Sequence, residues 1–377
     1  MSDAAPAPRL TDRQRLNWLR LIRTENVGPA SFRDLVNRFG SAEAALAMLP
    51  ELVLAGGGGR VPRIFSEREA EAELEAAARV GARFAAIGES DYPPMLRRMP
   101  QPPPLVALMG DASICMLPTV AIVGARNASA AGTKMARRLA HDLGQAGYAV
   151  VSGLARGIDA AAHQGSLDTG TIAVLAGGID RPYPAENVQL SEEIGRRGIL
   201  VSEMPFGWEP RARDFPRRNR IVAGLCLGLV VVEAAERSGS LISARLANEM
   251  GRIVFAVPGS PYDNRASGTN GLLKQGATLV TEASDILDVL SPLAGNGAPP
   301  VTPIEEPPDL SAVPPPAESE RARVIEALSP VPTPVDEIIR HTGLHPAQVF
   351  MILLELDLAG RLERHSDGSV SLLVGNP

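Results

Sequence analysis

The chain of 377 residues has 36 Gly, 33 Pro, two Cys and a formal net charge of −6. Its length predicts two or three domains, and the low cysteine count excludes a disulfide scaffold or a thiolate metal cluster. The longest uncharged apolar run, Ile221–Val232, has twelve residues and is too short for a membrane-spanning helix, which needs roughly 18. Because the N-terminus also lacks the pattern of a secretory signal, we expect no membrane span and a cytoplasmic location.

The first part of the chain has helical periodicity. From residue 11 to about 80, apolar side chains recur at spacings of three and four. Gly28-Pro29 separates a first helix from a second, for which Ser31 is a candidate N-cap, and Gly40-Ser41 separates the second from a third. A Glu- and Ala-rich helix with a solvated face follows at 67–81. We assign 1–104 to an N-terminal helical domain and its connector.

The middle of the chain alternates short β-branched runs with helical segments. The runs are TVAIV, YAVVS, TIAVLA, GILVSE, GLVVVE, RIVFAVP and ATLVT. Apolar runs separated by about one helix each are typical of βαβ units whose strands are buried on both faces. We therefore predict an α/β fold for 105–290, a Rossmann-like doubly wound parallel sheet whose strand order the sequence leaves open.

A proline-rich segment follows the predicted sheet. Eight prolines fall within the eighteen residues 299–316, which predicts an extended, semi-rigid linker that we place at 291–317. In the remaining residues, 318–377, we expect helices and then a hairpin that turns at Asp367-Gly368. The helices are predicted at Glu318–Leu328, Val335–Thr342 and Pro346–Ala359.

Small and polar residues follow several of the predicted strands, at the edge where doubly wound sheets bind ligands. These turns lie at 124–132, 152–159, 177–180, 236–243 and 258–260. Backbone N–H groups at such turns and the helix N-termini after them favour an anion, above all phosphate, although any one turn is equally explained as a tight connection. Arg126 stands where a dinucleotide-binding G-x-G-x-x-G would have its second glycine, and no P-loop motif occurs.

The most distinctive local signal is the segment RARDFPRRNR at 211–220, with five arginines to one aspartate around Phe215. Guanidinium groups bind phosphates, and an aromatic ring that stacks on a base contributes roughly 1–3 kcal/mol to the binding free energy. The segment therefore suits single-stranded nucleic acid. The alternative is a solvated arginine face that Phe215 anchors to the core. Residues 120–285 hold 18 Lys plus Arg against 16 Asp plus Glu, and the rest of the chain 19 against 27, so the acidity lies outside the centre.

The same region resembles a known bacterial family, DNA-processing protein A (DprA/Smf). The resemblance rests on AIVGARNAS, VVSGLARGIDAAAH, TIAVLAGGIDRPYP, SEMPFGWEP, FPRRNRIVAGL, VVVEAAERSGSLISARLANEMGR and VFAVPG, in this order, within about 105–285. It implies a homodimeric protein that binds single-stranded DNA, protects incoming DNA and loads a RecA-type recombinase on it in natural transformation (competence) and recombination. It also implies single-strand-binding protein as a partner, no cofactor and no enzymatic activity.

Carried over motif by motif, the resemblance implies a DNA site with Phe215 as the base-stacking platform and with backbone cradles at 152–153 and 156–157. The site residues are Gly124, Arg126, Ser152, Gly153, Arg156, Gly157, Phe215, Arg217, Arg218, Asn219, Arg220, Ser238, Gly239 and Ser240. Binding of this kind should be sensitive to salt and should favour single strands over duplex.

The two ends of the chain are similar to the variable ends of the family. Residues 11–80 resemble its sterile-alpha-motif or helix-hairpin-helix module, and 318–377 resemble its winged helix. The latter segment holds 5 Lys plus Arg against 9 Asp plus Glu, and a helix that neutralises phosphates should be basic. We therefore interpret it as a protein-interaction module with weak or no DNA binding.

The main alternative is a Rossmann-like nucleotide-binding or nucleotide-cleaving enzyme of the phosphoribohydrolase type. Polar side chains near strand ends could serve acid–base chemistry, but they are also explained as caps and as partners of arginines. They are Asp159, His163, Glu203 and Glu233, with Glu249 a loose analogue of a catalytic glutamate. The P-G-G-x-G-T signature of such nucleotide-cleaving enzymes is missing, and neither the His nor the Cys residues show the spacing of metal ligands. We therefore expect neither catalysis nor a bound metal.

Overall fold

A computed structural model describes residues 9–58, 60, 62–294, 316–365 and 367–373. The chain divides into two compact units, one formed mainly by 73–299 and the other by 10–72 together with 300–377. Residues 295–315 of the predicted linker and the first eight residues lie outside the described residues. The conformation of the linker therefore stays a prediction.

Within its described residues, the larger unit contains a nine-stranded sheet of order β1-β2-β6-β5-β4-β3-β7-β8-β9. The strands are β1 (Ala82–Ala86), β2 (Leu105–Gly110), β3 (Thr119–Val123), β4 (Ala149–Ser152), β5 (Thr171–Val174), β6 (Ile199–Ser202), β7 (Gly228–Val231), β8 (Ile253–Ala256) and β9 (Thr278–Leu279). Strands β3 to β9 are parallel to their neighbours among themselves, as predicted. The chain order reverses between β3 and β7, which makes the carboxyl ends of these two strands the switch point of the sheet.

The sequence prediction missed β1 and β2. Both are antiparallel, β1 to β2 and β2 to β6, so the sheet is mixed and begins at Ala82, before the predicted boundary at 105. Strand β1 is Ala-rich and directly follows a Glu- and Ala-rich helix. No helical segment separates it from a second apolar run, so it does not fit the βαβ pattern used for the prediction.

Helices cover both faces of the sheet. They are α5 (Ala130–Gln145), α6 (Ile158–Ser166), α7 (Val188–Arg197), α8 (Asp214–Gly224), α9 (Gly239–Glu249), α10 (Ser267–Lys274) and α11 (Ala283–Ala294). Helix α4 (Glu67–Arg79) precedes β1 in the chain. One apolar core lies on each face, because alternate residues of β3 point to opposite sides: Ala121 packs in one core and Val120 and Ile122 in the other. The Rossmann-like architecture is confirmed.

The smaller unit combines the N-terminal helices with the C-terminal module. Its helices are α1 (Asp12–Arg23), α2 (Pro29–Phe39), α3 (Ala42–Ala55), α12 (Glu318–Ala327), α13 (Val335–Thr342) and α14 (Pro346–Leu358), and its strands are β10 (Thr333–Pro334), β11 (Leu362–Arg364) and β12 (Ser369–Leu372). The three C-terminal helices and the hairpin lie within a residue or so of their predicted bounds and form the expected winged helix. Gly40 and Ser41 end α2 and begin α3 as predicted.

The prediction of Ser31 as an N-cap is wrong. Helix α2 begins at Pro29 with Gly28 as its N-cap, and Ser31 is the third helical residue, whose Oγ accepts a hydrogen bond from the Gly28 N–H at 3.0 Å. Proline is well placed at the first helical position because its missing N–H would have no partner there. The Gly-Pro pair itself is therefore the start signal.

Among the described residues, no helix is long and apolar enough to cross a membrane, and no group of three or more His, Cys, Asp or Glu side chains could hold a metal ion.

Candidate nucleic-acid interface

A pocket of about 870 Å³ lies at the switch point of the sheet, beyond the carboxyl ends of β3 and β7. Its walls come from turns that are far apart in sequence but share this edge of the sheet. Predicted site residues that line it are Gly124, Arg126, Gly153, Phe215, Arg218, Asn219, Ser238, Gly239 and Ser240, and Arg156 lines a smaller adjoining pocket. Three of the five predicted turns, at 124–132, 152–159 and 236–243, therefore meet at one place, as the doubly wound topology requires. The turns at 177–180 and 258–260 contribute no lining residue.

An aromatic and cationic cluster stands at the mouth of this pocket. The guanidinium carbon of Arg126 lies 5.0 Å from the centre of the Phe215 ring, and the Tyr183 ring meets the same phenylalanine edge-on at 5.6 Å. Arg126 is exposed and Phe215 is half-buried. The cation thus lies on a face of the ring, which fixes both side chains next to each other before any ligand arrives.

The start of α8 holds the aromatic cluster in place. Asp214, the first residue of this helix, accepts hydrogen bonds at Oδ2 from the Arg211 backbone N–H at 2.8 Å and from Trp208 Nε1 at 2.9 Å. A carboxylate in the first helical turn also interacts favourably with the helix dipole. The Arg211 guanidinium carbon lies 4.9 Å from the centre of the Trp208 ring. Asp214, the acidic residue of the arginine-rich segment, therefore holds the start of α8 in place, and Phe215 is the second residue of this helix.

Arg218 lies on the inner side of the pocket wall and is only 7% exposed. Its Nη1 donates to the backbone carbonyls of Gly153 and Val174, the latter at 2.8 Å. A Cβ at position 153 would lie 2.0 Å from this Nη1, so the close approach requires glycine there. The charged group that the sequence suggested as a phosphate ligand thus binds the ends of two strands, β4 and β5.

Two further arginines of the segment bind Glu203, which is buried. Arg220 Nη2 forms an ion pair with Glu203 Oε1, and Arg217 Nη2 lies 3.5 Å from the same oxygen. Burial alone would raise the pKa of the Glu203 carboxyl, but the two guanidinium groups bring its pKa below the ordinary value. Neither Arg217 nor Arg220 lines the pocket.

The turn between β4 and α6 is held by buried polar groups. Asp159 accepts hydrogen bonds at Oδ2 from the N–H groups of Gly153 at 3.2 Å and Ala155 at 3.4 Å. His163 Nε2 accepts from the Leu154 N–H at 3.3 Å, and its Nδ1 lies 2.7 Å from Thr171 Oγ1. Burial, and secondarily the charge of Arg218, lowers the pKa of His163 to about 3, so the imidazole is neutral. These side chains shape the turn from within.

Two predicted cradle residues on this turn also have structural roles. The Ser152 hydroxyl is buried and donates to the carbonyl of Ile122 at 2.6 Å. Gly157 has φ +73°, and a Cβ there would lie 2.3 Å from the carbonyl oxygen of Ala125, so only glycine lets the two turns approach. Neither residue lines either pocket.

The turn before α9 closes the opposite side of the pocket. Ser238 caps the helix, its Oγ accepting from the Ser240 N–H at 3.4 Å, and no atom lies within 4 Å of a Cβ added at Gly239. The helix N-terminus is a favourable place for a negative charge. Arg237 on this turn and Arg265 from the loop after β8 also line the pocket.

Several residues that line the pocket are not among the predicted site residues, and Asn127, Tyr183, Arg237 and Arg265 are four of them. Asn127 and Arg237 directly adjoin predicted residues in the turns that the sequence singled out, so the turns themselves were the available signal. Arg265 is paired with Asp263 at 3.0 Å. Among the described residues, neither Arg126 nor Arg237 forms an ion pair, and both line the pocket and are exposed, so their charges are accessible to a ligand.

The fold and the site together define a Rossmann-type domain with a pocket lined by arginine, aromatic and small polar residues at its switch point, followed by a winged helix and preceded by a small helical module. Family models match all three parts: "DNA recombination-mediator protein A" at 83–291, "DprA-like N-terminal HHH domain" at 12–76 and "DprA winged helix domain" at 306–368. The chain belongs to the DNA-processing protein A (DprA/Smf) family.

Individual relatives agree with this assignment over much of the chain. Protein Smf of Synechocystis is 32% identical over 91% of this chain and 95% of its own length. The X-ray structure of DNA processing protein A from Streptococcus pneumoniae superposes with a TM-score of 0.56 at 34% identity, covering 70% of this chain and 98% of that one. A Helicobacter pylori structure, described for its single-stranded DNA binding mode, gives a TM-score of 0.51 at 29% identity, covering 55% and 96%.

Proposed function

We propose that this chain binds single-stranded DNA in the pocket at the switch point of its sheet. The observation that carries the proposal is the pairing of Arg126 with the Phe215 ring, 5.0 Å apart at the mouth of the pocket. A single strand presents phosphates and unpaired bases at alternating positions, and a guanidinium beside an aromatic ring can contact both at once. A duplex keeps its bases stacked and cannot offer them to the ring.

The other walls supply contacts to the phosphate backbone. The N–H groups at the start of α9 and the exposed guanidinium of Arg237 face the same space, and both attract an anion. Ser238 and Ser240 share a hydrogen bond between their hydroxyl oxygens at 2.7 Å, which leaves further lone pairs and a proton for a ligand. None of these contacts depends on the identity of a base, so binding is expected to tolerate any sequence.

Wider roles follow from the family. We propose that the protein acts in DNA processing during natural transformation and recombination, in the cytoplasm, as a homodimer that protects incoming single strands and loads a RecA-type recombinase, with single-strand-binding protein as a further partner. The H. pylori relative, whose structure was described for single-stranded DNA binding, supports the first step of this scheme.

A binding role is favoured over a nucleotide-cleaving one. The candidate acid–base groups have structural partners: Asp159 and His163 hold the β4–α6 turn, and Glu233 accepts from the N–H of Ser129 at 2.9 Å. A neutral, buried imidazole whose two nitrogens already have partners is poorly placed to transfer a proton to a ligand. Release of free base from nucleoside monophosphates would overturn this view.

The test is equilibrium binding of a labelled single strand as a function of salt. Arg126→Ala should weaken binding and reduce the slope of log K against log salt by roughly 0.7, the value for one phosphate contact on a single strand. Phe215→Leu should weaken binding by about 5- to 150-fold, since one stacked base contributes roughly 1–3 kcal/mol, and should leave the slope unchanged.

The matched control is Arg138→Ala, which removes an exposed cation that is paired with Asp142 at 3.5 Å on α5 and lies outside the pocket. It should change neither affinity nor slope. Equal affinity for a single strand and the corresponding duplex, or an effect of Arg138→Ala as large as that of Arg126→Ala, would contradict the proposal.

A further inference from the structure

Helix α14 of the winged helix is buried on two sides. One side packs in the core of its own module and consists of Val349, Ile352, Leu353 and Leu356. The other side belongs to the core of the N-terminal helices, where its residues Met351, Leu354 and Leu358 join Phe32, Leu35, Leu49 and Val53. The smaller unit therefore has an apolar interface between the first and the last parts of the chain.

Polar contacts surround this interface. The Asn26 amide donates to the carbonyl of Leu358 at 3.0 Å, Arg361 Nη1 donates to the carbonyl of Gly56 at 3.0 Å, and Arg364 Nη2 lies 3.3 Å from Asp34 Oδ2. The apolar interior with a polar rim is the arrangement of specific protein interfaces. Its occupant is visible in the structure, namely helices α1 to α3 of the same chain.

The position of α14 gives this contact its significance. In winged-helix and helix-turn-helix modules, the helix before the wing is the one that enters the major groove of duplex DNA. Residues 346–360 contain no Lys or Arg. The wing residues Arg361 and Arg364 are the only basic residues from 346 to 373 apart from His365, and both contact the N-terminal helices.

We propose that α14 is a docking helix for the N-terminal helices of its own chain, and that it does not read duplex DNA. Residues 10–58 and 316–373 then form one composite module, in which the face that other winged helices present to a groove is covered. The acidic character of the C-terminal part agrees with this assignment, because an interface with protein does not need phosphate-binding cations.

Gly56 provides a sharp test. A Cβ at this position would lie 2.1 Å from the carbonyl oxygen of Glu355 and 3.1 Å from the Cβ of Ala359, both in the winged-helix part. Its φ of −74° is allowed for alanine, so Gly56→Ala should disturb the docking but not the backbone of α3. The control is Gly28→Ala in the same helical module, where the nearest atom to the added Cβ is 4.0 Å away.

The measurement is hydrogen–deuterium exchange on the full chain. Gly56→Ala should accelerate exchange of the α14 and wing amides by about tenfold or more, while Gly28→Ala should leave it unchanged. A second variant uses the ion pair: Asp34→Arg places a cation next to Arg364, which also binds Asp357 of its own module at 2.9 Å, and should accelerate exchange as well.

Three outcomes would overturn the proposal. One is unchanged exchange in α14 for both Gly56→Ala and Asp34→Arg. Another is protection of α14 or the wing when a short duplex is added to the intact chain, which would make α14 a DNA-reading helix. The third is protection of α14 in the unmodified chain that is lost on dilution, which would identify the occupant as a second copy.

Discussion

Replacing Arg218 should damage the fold of the larger unit, and any effect on DNA binding should follow from that damage. Arg218→Met keeps most of the apolar length of the side chain but leaves the carbonyls of Gly153 and Val174 without this donor. It also removes the positive charge that favours the ionised form of the buried Asp159 carboxyl. Leaving a buried charge without its compensating charge costs about 3–5 kcal/mol where the two form a direct pair, and we expect a loss near the lower end of this range for Arg218→Met. The loss is a large part of the total stability of roughly 5–15 kcal/mol.

The pH dependence distinguishes this explanation from a simple cavity. Burial raises the pKa of Asp159 above its ordinary value and the Arg218 charge lowers it, so the pKa should rise further in Arg218→Met. A carboxyl whose folded-state pKa is raised loses stability as pH increases through that pKa. The deficit of the variant should therefore be largest near pH 8 and shrink towards pH 5, and Asp159→Asn should rescue part of it.

The assay is urea unfolding monitored by Trp208 fluorescence in a Trp18→Phe background, so that only the larger unit is reported; these are the two tryptophans of the chain. A loss of stability under about 1 kcal/mol at pH 8, together with a reduced salt slope for single-stranded DNA, would refute the reasoning and return Arg218 to the role of a phosphate ligand.

Three further predictions concern the same edge of the sheet. The pKa of His163 is about 3 in the folded chain and near 6.5 when unfolded, so the unfolded state binds more protons as the pH falls below 7. The free energy of unfolding should therefore decrease by about 1 kcal/mol from pH 7 to 5.5. His163→Asn should flatten this part of the pH profile in urea titrations. Gly153→Ala should cost about 1–3 kcal/mol in the same assay, since its Cβ would displace the Arg218 side chain. Gly239→Ala should leave stability unchanged, because no atom lies within 4 Å of the added Cβ, but should weaken binding of a single strand; unchanged affinity would show that no ligand approaches this turn.

The seven parallel strands could be predicted from the sequence, although their order could not, because doubly buried parallel strands are short apolar runs and the chain separates them with helices. The same reasoning predicted that the turns at 124–132, 152–159 and 236–243 lie at one edge of the sheet. It did not predict β1, because the sequence of this strand is equally compatible with an extension of the preceding Ala-rich helix. Pairing with β2, which is remote from it in the chain, decides between the two.

The fate of Arg218 was harder to predict, although a signal was present. Asp214, Arg218 and Ile221 recur at the spacing of one helical face and are all buried, so helical periodicity places Arg218 on the inner face of α8. Arginine density alone favoured phosphate contacts for the whole segment. A buried guanidinium needs carbonyl acceptors, and these come from strand ends that are remote in sequence.

The distribution of charge at the pocket follows from these contacts. Of the five arginines at 211–220, Arg217 and Arg220 bind Glu203 and Arg218 binds backbone carbonyls. The other two, Arg211 and Arg213, do not line the pocket. The accessible positive charge at the pocket therefore comes mainly from other turns, above all from Arg126 and Arg237. With two to four phosphates neutralised, log K should fall against log salt with a slope of roughly −1.4 to −2.8. A slope several times steeper would mean that the strand follows the arginine-rich segment and that its ion pairs open on binding.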